Sequence, residues 1–141
     1  MKQLSISLFV KNLARLILAC FILFAGIGHL SFFRQEFQAE VPTWLPFDKD
    51  WVVLVSGWME LFIGFGMLFL PKLRPYFGIG LAIFLILVFP GNINQYYYDI
   101  NAFGLDTESK RLIRLLFQPI LIYWALWSMD SFNLIKKIKS K

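Results

Sequence analysis

Four stretches of this chain, at about residues 12–30, 51–70, 76–96 and 111–129, are dominated by apolar side chains. Each approaches the roughly 20 residues that a helix needs to cross about 30 Å of hydrocarbon. A segment in hydrocarbon must satisfy its own backbone hydrogen bonds, and long apolar runs without alternation do so as helices. The composition agrees: 58% apolar residues, 18% aromatic residues and a mean hydropathy of +0.63 lie above the soluble range. The expectation is an all-α integral membrane protein, with residues 1–141 forming one four-transmembrane-helix bundle.

Charge sets the expected orientation. Of the 14 Lys and Arg residues, nine fall on one side of the predicted spans: Lys2, Lys11, Arg15, Lys72, Arg74, Lys136, Lys137, Lys139 and Lys141. The positive-inside rule then places both termini and the "PKLR" turn in the cytoplasm. The net charge of +5 does not point to nucleic acid, because the basic residues flank apolar runs. The tail "IKKIKSK" reads as an anchor at anionic lipid. The first apolar run, with Gly26 and Gly28 at its end, has some features of a signal peptide, but it reads better as a retained span. The lone Cys20 excludes an intrachain disulfide and a cysteine metal cluster.

Within the second run one carboxylate, Glu60, lies nine residues after Trp51, about 14 Å down a helix and near the predicted midplane. A carboxylate facing lipid there would cost a few kcal/mol, so it should face the interior. Ser56, Glu60 and Gly64 recur at four-residue spacing and form one face of small or polar residues. In the fourth run Arg111, Arg114, Gln118, Ala125 and Ser128 also share a face. Arg114 is long enough to reach the headgroups or to extend toward Glu60. In the third run Pro90 leaves the carbonyl of Ile86 without its usual donor, and Asn92 and Asn94 follow. The first run ends at His29, the only histidine.

Glu60, Ser56, Asn92, Gln118, Arg114 and His29 thus converge from four helices on the outer half of the membrane, where they would line a pocket. The inner half offers no comparable set. Plainer readings exist for each: Glu60, Asn92 and Gln118 as interhelical hydrogen-bonding residues, Arg114 as a snorkelling anchor, His29 as a boundary residue. The outer loop "SFFRQEFQAEVPTWLPFDKD" reads as an aromatic lid or as a belt that anchors helix ends.

Several chemistries lack their residues. One histidine does not supply a haem ligand pair, one buried acid does not make a di-iron bundle, and neither a phosphate-binding glycine loop nor a nucleophile elbow is present. No metal site is expected, and no cofactor is built in. Binding, proton exchange through Glu60, or redox chemistry with a membrane quinone remain.

In order along the chain stand "AGIGHL", "VPTWLP", "SGWMEL", "PKLR", "FPGNI" and "RLLFQ", followed by Trp124. In this order and spacing the chain resembles the DoxX-like family of small four-helix membrane proteins. The resemblance implies a multi-pass protein of the bacterial cytoplasmic membrane, with quinone-linked redox association in some relatives and receptor-assembly chaperones in the wider group. It also implies motif positions at His29, Glu60, Asn92, Arg114 and Gln118. The resulting expectation is an accessory protein that binds a small amphipathic ligand, quinone-like or a lipid headgroup, without requiring enzymatic turnover. The alternative is a non-catalytic assembly factor that docks client helices of a membrane-protein partner, or a second copy, on small-residue faces.

Overall fold

In the computed structural model, which describes residues 2–141, all the regular structure is helical. Helix α1 spans Lys2–Leu30, α2 Arg34–Glu40, α3 Lys49–Phe69, α4 Arg74–Tyr97, α5 Glu108–Ser128 and α6 Ser131–Lys139, with a 3-10 turn at Pro71–Leu73 before α4. The predicted spans correspond to α1, α3, α4 and α5. Helix α1 begins ten residues earlier than expected, because nothing in "KQLSISLFVK" breaks a helix. Two features lay outside the expectation: the short α2 within the first long loop, and the separate α6.

Local chemistry fixes the ends. The Asp48 side chain accepts from Trp51 N and starts α3, and Thr107 accepts from Lys110 N and starts α5. Pro75 follows the first residue of α4, where a missing donor costs nothing. Pro90 and Pro119 sit inside α4 and α5 without ending them. Asp130, at φ 57°, turns the chain between α5 and α6, which are bent by 79°.

Helix α1 packs along α3, and α4 along α5; α3 meets α4, and α5 meets α1. The four long helices therefore form a ring in which neighbours run antiparallel. Leu18, Ala19 and Ile22 from α1 meet Ile63 and Met67 from α3, Leu81, Phe84 and Leu85 from α4, and Leu121 and Ala125 from α5. This plug fills the middle of the ring and closes toward the end that holds the termini. Toward the opposite end, where α2 and the long loops lie, the four-helix interior opens.

The α1–α3 seam is close because glycines make it so. A Cβ on Gly57 would lie 2.7 Å from His29 Cβ, and one on Gly26 would lie 3.0 Å from Gly57 O. A Cβ on Gly64 would meet Leu23 at 2.7 Å. Gly57 and Gly64, flanking Glu60, provide the approach, whereas Ser56 is only half-buried. Of the face expected from Ser56, Glu60 and Gly64, the last two are buried as expected, and Gly57 replaces Ser56 at the close approach.

Three helical stretches, Gln3–Leu30, Lys49–Phe69 and Pro71–Tyr97, are long and apolar enough to cross a membrane. The fourth, α5, passes only together with α6 as a bent pair. Its first half carries Glu108, Lys110, Arg111, Arg114 and Gln118, which dilute its apolar character.

Candidate functional site

At the loop end, between α1, α3, α4 and α5, lies a cavity of about 470 Å³ roofed by Phe37, Glu40 and the segment Val41–Leu45. Ile22, Ala25, Val53, Leu85, Val88 and Leu121 contribute to its apolar walls. All six sequence-predicted site residues, Glu60, Gln118, Asn92, Arg114, His29 and Ser56, reach its lining, one or two from each long helix.

Glu60 is 6% exposed. Its Oε2 lies 2.7 Å from His29 Nδ1. His29 Nδ1 also faces the Ala25 carbonyl at 3.0 Å, so it is shared between two oxygens, and its short contact with Glu60 Oε2 is poorly aligned for a hydrogen bond. The imidazole is fixed from the other side by Phe37, whose ring stacks on it with centroids 3.4 Å apart and planes 13° from parallel. His29 is therefore buried at the cavity wall. A buried carboxylate held by one poorly aligned neighbour is costly.

Asn92 and Gln118 differ from Glu60 because they satisfy each other. Asn92 Nδ2 donates to Gln118 Oε1 at 3.1 Å, and Gln118 Nε2 donates to Leu85 O at 2.8 Å. Leu85 precedes Ile86, whose carbonyl Pro90 was expected to leave free, so the glutamine bonds the carbonyl one residue before the freed one. This amide chain ties α4 to α5 across the cavity wall.

Arg114 is partly exposed and does not pair with Glu60. It forks onto Glu40, with Nη1 and Nη2 each donating to one carboxylate oxygen, and Nη1 also donates to Gln95 Oε1 at 2.9 Å. The guanidinium lies over the Phe103 ring, 4.7 Å from its centroid. Asn94 Nδ2 donates to Glu40 O at 3.4 Å, and Gln95 Nε2 donates to Ile100 O and Ala102 O at 3.3 Å. Glu40 thus closes the cavity mouth from the end of α2. Burial pushes its carboxyl up to about 7, even though Arg114 beside it pulls downward.

Glu40 reads in the sequence as one acid of the outer loop with no role of its own, and Gln95, which is 1% exposed, carries no signal there. One signal was available for Glu40. It directly precedes the apolar "VPTWLP", and a long cation on a neighbouring helix end requires an acid within reach.

The opposite end is not free of polar groups either. Lys11, Asn12 and Arg15 of α1 meet Arg74 of α4 and Asp130 there, with Ser128 close by in sequence to Asp130. Arg15 looked like a flanking residue, but it lies thirteen residues into α1, about 20 Å along the helix, and is 5% exposed.

The architecture is a four-helix ring with a plugged lower half and a mainly apolar, carboxylate-bearing cavity above it. The chain belongs to the family described as a domain of unknown function (DUF8561), which matches residues 18–129. No curated protein and no solved structure matches it. The family finding corrects the DoxX-like assignment, and the redox and receptor-chaperone associations that came with it fall away. The short motifs behind the assignment have local causes: Gly26 and Gly57 permit helix approach, and Pro71 and Pro75 shape a turn. Such motifs recur wherever a helical bundle needs the same contacts.

Proposed function

We propose that this chain is an integral protein of the cytoplasmic membrane, crossing it four times with both termini inside, and that it binds one small amphipathic molecule in the cavity beside Glu60. The exterior supports the first part. Phe62, Phe65, Leu87, Ile113, Leu116 and Tyr123 are 60% or more exposed around the waist of the bundle, an apolar belt that water would not tolerate. The asymmetry of Lys and Arg supports the orientation.

The single observation that carries the ligand reading is a buried carboxylate, Glu60, in the lining of a mainly apolar cavity large enough for a small molecule. Beyond its contact with His29, the carboxyl group has hydrogen-bonding capacity left for a ligand. The apolar walls would take the hydrocarbon part of the occupant, and Glu60 would hold its polar head. A lipid headgroup or a quinone-like ring both have this form, and neither requires turnover. The docking alternative has less support, because the glycines it relies on are used internally. Only Gly80 among the helical glycines faces open space, whereas Gly26, Gly57, Gly64, Gly66 and Gly78 all abut other groups within 3.1 Å.

The test is mass spectrometry of small molecules retained by protein purified in mild detergent. Glu60→Gln should lose the retained species, while Gly80→Leu should keep it. Equal retention by Glu60→Gln and wild type would remove the basis for this reading.

A further inference from the structure

Of the nine acidic residues in the chain, only Asp130 lies at the end that holds the termini. It is taken by Lys11, whose Nζ is 2.5 Å from Asp130 Oδ1. Two guanidinium groups at this end therefore have no carboxylate. Arg15 donates from Nη1 to Met67 O, one of the carbonyls left over in the last turn of α3. Arg74 donates from Nη1 to Asn12 Oδ1 at 3.2 Å. Asn12 and Arg15 are three residues apart, adjacent on one face of α1, so Asn12 brings Arg74 to the face that carries Arg15. The Nε of each is buried and has no partner among the described residues.

Two like charges brought together, one of them nearly fully buried and neither neutralised, are unfavourable without an anion. Arginine pairs offer the planar, multiple donors that suit phosphate oxygens. The start of α4, which has no side-chain cap, adds its positive helix end at Arg74. Exposed Phe69, Leu73 and Tyr76 border the same region and would lie against acyl chains. We infer that Arg15 and Arg74 form a site for the phosphate of an anionic phospholipid, distinct from the Glu60 cavity and at the opposite end of the bundle.

The experiment follows the unfolding midpoint of the full chain in detergent during titration with phosphatidylglycerol, phosphatidylcholine or inorganic phosphate. Phosphatidylglycerol should stabilise with an apparent affinity roughly tenfold above that of phosphatidylcholine, as expected for one charge-assisted contact set. Arg74→Gln should remove that preference. Arg15→Lys, which keeps the charge and a donor for Met67 O, should weaken it. Replacing Lys136, Lys137, Lys139 and Lys141 together by Gln should leave it intact. Equal stabilisation by the two lipids, a preference that survives in both arginine variants, or one that disappears with the tail lysines would overturn the site. Full stabilisation by inorganic phosphate alone would overturn its assignment to lipid.

Discussion

Arg114 on α5 grips Glu40 at the end of α2 through both guanidinium nitrogens, and this pair closes the mouth of the cavity that Glu60 faces. Removing either partner strands the other in a mostly buried place, so the pair fixes the position of α2 and the loop that follows.

Glu40 makes that closure pH-dependent. Its carboxyl, raised by burial from 4.5 to about 7, holds its proton more tightly when folded than when unfolded. Its contribution to stability is therefore fully present below the unfolded value and is lost as pH rises through about 7. The groups that bear on it are Arg114, His29 and Glu36. Thermal unfolding between about pH 5 and 8 should show a falling midpoint in the wild type and a flatter profile in Glu40→Gln.

Gly57 is the second sensitive point. An alanine there would drive its methyl carbon to within 2.7 Å of His29 Cβ and 3.1 Å of Gly26 O. Gly57→Ala should cost about 1–3 kcal/mol, as overpacking does, and move His29 away from Glu60. Gly80→Ala meets open space and should be neutral or slightly stabilising by helix propensity. Denaturant midpoints of the two variants measure the contrast.

The amide chain gives a third outcome. Gln118→Leu leaves the buried Asn92 Nδ2 without its partner and removes the side-chain donor to Leu85 O, a loss of about 1–3 kcal/mol for the amide left unsatisfied. Asn92→Leu in the Gln118→Leu background should cost less than in the wild type. A double-mutant cycle on unfolding free energies should return a coupling of about 0.5 kcal/mol or more.

Orientation is testable with thiol chemistry. In a Cys20→Ser background, a cysteine at Asn101 should react with a membrane-impermeant maleimide on intact cells. A cysteine at Ser140 should react only after permeabilisation. The reverse pattern would invert the proposed topology.

The long helices were legible because apolar length alone sets them, and the α3 and α5 boundaries fell within a few residues of the apolar runs. Convergence of Glu60, His29, Asn92 and Gln118 was legible for a related reason: polar groups in apolar helices have few places to go. Three things were not. Glu40 reads as a loop acid until α2 folds back over the ring and buries it. Arg15 reads as a flanking charge until α1 is seen to start at Lys2. The family assignment rested on short motifs whose glycines and prolines answer local packing needs, and such needs do not distinguish one helical family from another.

The central claim, that the Glu60 cavity holds a small molecule, is tested most directly by native mass spectrometry of the intact protein released from detergent. The account predicts one bound small molecule per chain in the wild type and a bare chain in Glu60→Gln. A wild-type chain that is bare after mild extraction, or an identical adduct on both proteins, would contradict it.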